Sequence, residues 1–254
     1  MPLLTDKAEN MKNKVLYISL SVLLLVAWQY FGSTNQTVRL LLSSPSLVLN
    51  YFGEHYSLLL QATQTTLIEA VVGLLIATVF SFGMMILCFY VPKLMEFVLP
   101  IMVTSQVIPL IVLAPFFIIL MGIGLGSKIA MAALMCFFPI FVNFAQGYKA
   151  INPNIHELMH IYNADTWTRI RQVYFPLSMP SIMAGLKISA TLAVIGAIVA
   201  EFAGAEVGLG RNLFISALRL EPEMMMSSLC LSAILGLIFF GAIKLLENKI
   251  DWIK

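Results

Sequence analysis

The chain has 254 residues, of which 60% are hydrophobic and 11% charged, with a formal net charge of +2 and a mean hydropathy of +0.92. A soluble globular domain carries about 25% charged residues, so a soluble enzyme is excluded and an all-α polytopic membrane protein is indicated. The small net charge gives no basis for binding nucleic acid. Three cysteines, Cys88, Cys136 and Cys230, sit singly in apolar runs, a pattern of small buried hydrophobes rather than disulfides or metal ligands.

Met1 to Lys14 is polar, and the apolar run after it lacks a small-x-small cleavage site, so no cleavable signal is expected. Crossing the hydrocarbon core takes about 20 apolar residues. Six spans are predicted, at about 15–31, 66–90, 94–121, 128–148, 179–203 and 224–246. They make residues 1–254 one transmembrane domain. All must be helical, because unpaired backbone groups in lipid cost several kcal/mol each. Trp28 and Tyr30 close the first span like an interfacial belt.

Lys and Arg placement orients the spans. With the N-terminus inside, Lys7, Lys12, Lys14, Lys93, Lys149, Arg169, Arg171, Lys244, Lys249 and Lys254 face the cytoplasm, and Lys187 snorkels there. Arg39, Lys128, Arg211 and Arg219 lie outside. Eleven against four is a positive-inside asymmetry. It places both termini and the 149–178 loop in the cytoplasm. Ser43 to Tyr56 reads as a turn and a short amphipathic piece, and Gly204 to Glu223 as a short outer helix through Leu209, Leu213, Ile215 and Leu218.

Several intramembrane residues stand out. Pro100, Pro109 and Pro115 are expected to break the third span and Pro139 the fourth. Gln106, Asn143 and Gln146 are either interhelical glue or path lining. Glu69 and Glu201 fall near predicted span ends, where a solvated or paired residue is expected. Gly73, Gly83, Gly122, Gly124, Gly126, Gly185 and Gly196 are read as points of close helix approach.

The polar island between the fourth and fifth spans is a helical hairpin. Asn152 is an N-cap with Pro153 at the first helical position. A short helix follows to Tyr162, and Asn163 ends it in a left-handed turn. Asp165 caps a second helix over Thr166 to Tyr174, and Pro176 and Pro180 mark re-entry into the fifth span. Ile155, Leu158, Met159 and Ile161 are expected to pack on the bundle, with Glu157, His160 and Arg169 exposed. His156-Glu157-Leu158-Met159-His160 also spells H-E-x-x-H, a zinc-protease pattern. A third ligand is missing, since His55 lies across the membrane, so no metal is expected.

The hairpin resembles the EAA loop of permease subunits in bacterial ATP-binding-cassette importers. Glu157 falls on the motif Glu, Leu158 and Met159 replace its alanines, Asn163 replaces its Gly, and Phe175-Pro176 stands at its Leu-Pro. SQVIPLIVLAPFFIILMGIGLGSK (105–128), CFFPIFVN (136–143), GLKISATLAVIGAIVAEFAG (185–204) and GLG (208–210) resemble the nitrate/sulfonate/taurine branch. APFF, GLGSK and FFPI, with Glu69 in TLIEAVVG, look closest to importers of thiamine-precursor pyrimidines or riboflavin. Anion importers more often carry Arg at the position of Glu69.

The resemblance covers about residues 44–247 and implies the type I importer fold, a homodimer in the inner membrane, and transport by alternating access. The permease itself would bind no cofactor and do no catalysis. A cytoplasmic ATPase dimer would dock on Glu157, Leu158, His160, Asn163, Asp165, Trp167 and Arg169. A periplasmic or lipid-anchored binding protein would deliver the solute. Gln106, Pro109, Pro115, Asn143, Glu69 and Glu201 are candidates for the pore or its packing. A wall of Phe116, Phe117, Phe137, Phe138 and Phe141 suits a neutral heteroaromatic solute, with sulfonate, taurine or nitrate as the alternative. The rival readings are the zinc protease and a secondary transporter, although no internal repeat supports the latter.

Overall fold

The computed structural model describes residues 2–34 and 42–250. Arg39 and Lys254, two of the charges used for orientation, lie outside the described residues. The described residues form helices joined by short turns and loops, with no strand among them. In order the helices are α1 (Pro2–Thr34), α2 (Pro45–Glu54), α3 (Tyr56–Tyr90), α4 (Pro92–Ser105), α5 (Leu113–Met121), α6 (Leu125–Lys149), α7 (Pro153–Ile161), α8 (Thr166–Arg169), α9 (Phe175–Gly204), α10 (Leu209–Arg219) and α11 (Pro222–Ile250). Among the described residues, four helical stretches are long and apolar enough to cross a membrane: Tyr56–Tyr90, Leu125–Lys149, Thr166–Gly204 and Pro222–Lys249. The apolar part of α1 is Val22–Thr34.

The expected third span is not one helix. It is α4, an irregular stretch at 106–109, a 3-10 turn over Leu110–Val112, and α5. Pro109 sits in the break, and its ring restrains the residue before it away from helical geometry. Pro100 lies inside α4 and Pro115 in the first turn of α5, and neither interrupts its helix. Pro139, expected to break the fourth span, lies inside the continuous α6.

The chain forms two compact units, Met1–Leu59 with Asn212–Cys230, and Leu60–Arg211 with Leu231–Lys254. In the first, the Trp28 indole N–H donates to the Ser43 carbonyl at 2.9 Å, while Gln29 and Ser46 exchange hydrogen bonds at 3.0 and 3.2 Å. Ser43 donates to Glu223 at 3.2 Å. Tyr51 stacks on His55 with ring centroids 4.1 Å apart. Burial first, then the carboxylates of Glu221 and Glu223, push the Tyr51 phenol above its ordinary range.

In the second unit α6 and α9 pack most closely. A Cβ on Gly185 would meet Asn143 Cβ and the Pro139 carbonyl at 2.8 Å, and one on Gly196 would meet Ala132 Cα at 2.8 Å. Gly73 likewise brings α3 against Ala132. Small residues let the helix backbones approach where no hydrophobic drive exists between helices in lipid. Gly83, Gly122 and Gly124 have nothing within 4 Å of such a Cβ, and Gly126 only a methionine methyl at 3.5 Å, so those four do not serve close packing. Ser189 donates to the Cys136 carbonyl at 2.8 Å while the Cys136 thiol faces the Ser189 carbonyl at 3.2 Å, tying α9 to α6. Phe82, Phe89, Phe144 and Phe175 form an aromatic cluster with Tyr148 and Tyr174. Phe138 and Phe141, expected to line a path, are buried in the core.

Candidate functional site: the polar hairpin and an acidic cavity

The hairpin starts as its sequence demands. The Asn152 side chain accepts from the Asn154 N–H at 2.9 Å, and α7 runs to Ile161. Asn163 takes the left-handed conformation, φ 48°, where its short polar side chain is tolerated. Asp165 accepts from the Thr168 N–H at 3.2 Å and from the Thr168 hydroxyl. Those bonds to the charged form hold its carboxyl below the usual aspartate range, the hydroxyl contributing most.

Three points of the hairpin differ from expectation. The second helix does not stop before the membrane. α8 passes through a π-helical turn, Ile170–Tyr174, straight into α9, giving one helical stretch of 39 residues from Thr166 to Gly204. The Phe175 N–H bonds to the Ile170 carbonyl, five residues back. This widened turn accommodates Pro176, which has no N–H to offer and whose ring would clash in a tight helix. Pro180 lies inside α9.

The apolar residues of α7 do not all face the bundle. Ile155 and Met159 are half-buried, but Leu158 is 45% and Ile161 80% exposed. Tyr162 and Trp167 are also exposed, as are Glu157 and His160. Arg169, expected in solvent, is half-buried, and its Nε donates to the Ala164 carbonyl at 2.7 Å, bracing the turn. His156 is spent internally: its Nδ1 lies 3.2 Å from the Tyr174 hydroxyl, and its ring packs edge-on to Tyr148.

The second feature centres on Glu69 and Glu201. Both are buried, 1% exposed each, so of the two expectations for them, solvated or paired, the solvated one is overturned. α3 begins at Tyr56, so Glu69 lies more than three turns inside it. Glu201 Oε1 accepts from the Thr66 hydroxyl at 2.6 Å and Oε2 from the Gly210 N–H at 2.5 Å, while the Leu209 N–H donates to Thr66 at 3.0 Å. Gly208 must be glycine. Its φ is +147°, and a Cβ there would fall 2.2 Å from the Glu201 carboxyl carbon. The GLG segment is thus a backbone cradle wrapped on Glu201.

Glu69 shares a side-chain hydrogen bond with Glu201, and its Oε2 is sealed from solvent. Lys128 is the surprise. Expected on a solvated flank, it is 2% exposed, and its ammonium donates to the carbonyls of Ile123 and, at 3.1 Å, Gly124. Glu69 and Lys128 line a cavity of about 320 Å³ with Thr65, Gly124, Glu206 and Val207. A Glu seven residues before G-x-G was the available sequence signal for the cradle. Lys128 carried none beyond its adjacency to GLGS.

The remaining candidates are not brought together. Gln106 and Pro109 are exposed in the break after α4, and Pro115 is exposed on α5. Asn143 is half-buried and donates to its own helix at the Pro139 carbonyl, 2.8 Å away. Gln146 is exposed.

Residues 80–252 match the family of binding-protein-dependent transport system inner membrane components. The chain belongs to this family. The permease is 32% identical over 234 residues to the formylaminopyrimidine transport permease protein of Halalkalibacterium halodurans, spanning 92% of this chain and 94% of that one. It is also 32% identical over 229 residues to the riboflavin transport system permease protein of Chloroflexus aurantiacus, spanning 89% and 85%. Identity to a putative aliphatic sulfonates transport permease of Bacillus subtilis is 23% over 236 residues. A solved inward-facing MetNI methionine ABC transporter chain shares the fold, with a TM-score of 0.67 at 20% identity over 78% of the permease and 98% of that chain. The permease is therefore a non-catalytic, multi-pass inner-membrane subunit of an ABC importer. ATP hydrolysis belongs to a partner ATPase, and a substrate-binding partner serves the same importer.

Proposed function

We propose that the permease imports a small nitrogen heteroaromatic, an aminopyrimidine above all, as a homodimer working by alternating access. The observation that carries this is the 32% identity, along nearly the full length of both chains, to a formylaminopyrimidine permease. The buried acid at Glu69, beside a cavity able to hold one ring, supports it over an anion, because an anion desolvated among carboxylates lacks partners. The aliphatic sulfonate reading rests on the weaker 23% likeness.

In this reading the whole chain acts as one transmembrane module with both termini and the hairpin in the cytoplasm. Leu158, Ile161, Tyr162 and Trp167 form the apolar part of the ATPase seat, flanked by Glu157 and His160. Asn163, Asp165 and Arg169 hold its shape. The gap between α4 and α5, with Gln106, Pro109 and Pro115, is a bending point of the pore wall. Family membership disfavours the protease and secondary-carrier readings.

Uptake by the complex of permease, ATPase and binding protein in vesicles tests the proposal. A labelled aminopyrimidine should be taken up and be competed by unlabelled aminopyrimidine, not by taurine or nitrate. Competition by taurine or nitrate alone would refute the substrate class.

A further inference from the structure

α7 leaves Glu157, Leu158, His160 and Ile161 exposed and keeps Ile155, His156 and Met159 half-buried. His156 Nδ1 lies 3.2 Å from the Tyr174 hydroxyl, one donating and the other accepting. Among the described residues this is the one side-chain hydrogen bond that joins α7 to another helical element. Tyr174 is buried and is the last residue of the π-turn. The imidazole centroid is also 5.2 Å from the Tyr174 ring and 5.4 Å from the Tyr148 ring at the end of α6. Those two tyrosine rings are 5.1 Å apart, and Phe89 of α3 packs on both. One side chain of α7 therefore meets the π-turn and α6 directly, and α3 through their rings.

We propose that His156 is a positioning residue of the import cycle, whose bond to Tyr174 ties α7 to the π-turn so that a shift of α7 turns the entry of α9. The inference rests on the reading of the hairpin as the ATPase seat, and it adds the contact through which movement of that seat enters the membrane. The place suits the task. Single π-turns are rare and concentrate at functional sites. The bond that defines this one, from the Phe175 N–H to the Ile170 carbonyl, begins at the residue after Tyr174. A pull on Tyr174 thus acts on the peptide that closes the turn. From there the helix continues unbroken to Gly204. A phenylalanine at 156 would pack on the same rings, but packing sets distance, whereas a hydrogen bond also sets direction. The first histidine of H-E-x-x-H thereby has a role that needs no metal.

The test uses the purified permease–ATPase complex in detergent. Ala203→Cys supplies an exposed reporter in the last turn of α9, and Cys230→Ser removes the half-buried competing thiol. Maleimide labelling is timed without nucleotide and with ATP plus orthovanadate, and the reporter protein should label at different rates in the two conditions. Tyr174→Phe, which deletes one oxygen, and His156→Phe, which keeps a flat ring, should each shrink that difference about threefold or more, the scale of one neutral hydrogen bond. The two together should do no worse than either alone. His156→Asn, whose amide stands near the place of Nδ1, should restore most of it. The ATPase should still co-purify with each, and melting temperatures should stay close to that of the reporter protein. A full ATP-dependent difference in Tyr174→Phe overturns the proposal, as does no difference in the reporter protein or no rescue by His156→Asn. Loss of the difference together with loss of the ATPase also overturns it, because His156 would then only shape the seat. If His156→Phe fails to assemble, Tyr174→Phe alone decides. An ATPase that stays bound in Ile161→Asp, with the difference still dependent on the Tyr174 hydroxyl, would uphold the tie while refuting the seat.

Discussion

Lys187 on α9 and Glu247 on α11, sixty residues apart, form an ion pair at 2.8 Å, with the ammonium bonded to both carboxylate oxygens. Each side chain is about a quarter to a third exposed. The lysine does not simply snorkel; it is held by a partner on another helix. Removing one member strands the other charge against apolar surroundings. Lys187→Met or Glu247→Met alone should destabilise the folded permease by about 1–3 kcal/mol, discounted from the buried-pair range for partial exposure. The double variant should return close to wild type. Thermal melts of all four proteins in one detergent measure this, and additive losses would contradict it.

Gly208→Ala should be severe for its size. The residue needs positive φ, and the new methyl would enter the Glu201 carboxyl. A loss of at least about 2 kcal/mol is expected, visible as a lower melting temperature and reduced membrane yield. Gly83→Ala, where nothing lies within 4 Å, is the control and should be neutral or slightly stabilising.

Ile161→Asp places a charge at an apolar position that is 80% exposed, without touching the bundle. Insertion and melting should be unchanged, while the ATPase no longer co-purifies and uptake stops. Glu157→Lys should weaken association through charge reversal. Normal uptake in both variants would remove the hairpin from the coupling role.

The cap at Asp165 gives a pH signature. Its carboxyl titrates below the usual aspartate range, so its support of the second hairpin helix is complete above the unfolded value. That support fades as pH falls through the depressed folded one. Asp165→Ala should mimic the acid state at neutral pH, with reduced ATPase association. Asp165→Asn should keep part of the cap and fall between them.

Orientation is checked by labelling Asn154→Cys and Glu54→Cys, both at exposed positions. The first should react only from the cytoplasmic side and the second only from outside. Ser44 would be a poor reporter, being buried.

Local chemistry was the most legible part of the sequence. Asn152, Asn163 and Asp165 perform in the structure the capping and turn roles that their side chains dictate, because those roles involve only near neighbours. Apolar length located the long helices for a similar reason. What depended on tertiary context was not legible. The helix runs through Pro176 because a π-turn absorbs it. Leu158 and Ile161 are apolar yet face outward, a pattern that periodicity alone assigns to a core. The burial of Glu69 was hidden because α3 extends ten residues before its apolar run, through Gln61, Thr63, Gln64 and Thr65. The burial of Lys128 follows from carbonyls at 123 and 124 that no motif announces.

The uninterrupted helix from Thr166 to Gly204 has a mechanical meaning. At about 1.5 Å per residue, the axial distance from Trp167 to Glu201 is about 50 Å. A displacement imposed at the tryptophan end of this strut arrives at the glutamate cradle without a loop to dissipate it. The π-turn at 170–174 is the one widened turn along its length. Tightening or loosening that single turn would alter how far, and with what rotation, a stroke on one side of the bilayer is felt on the other.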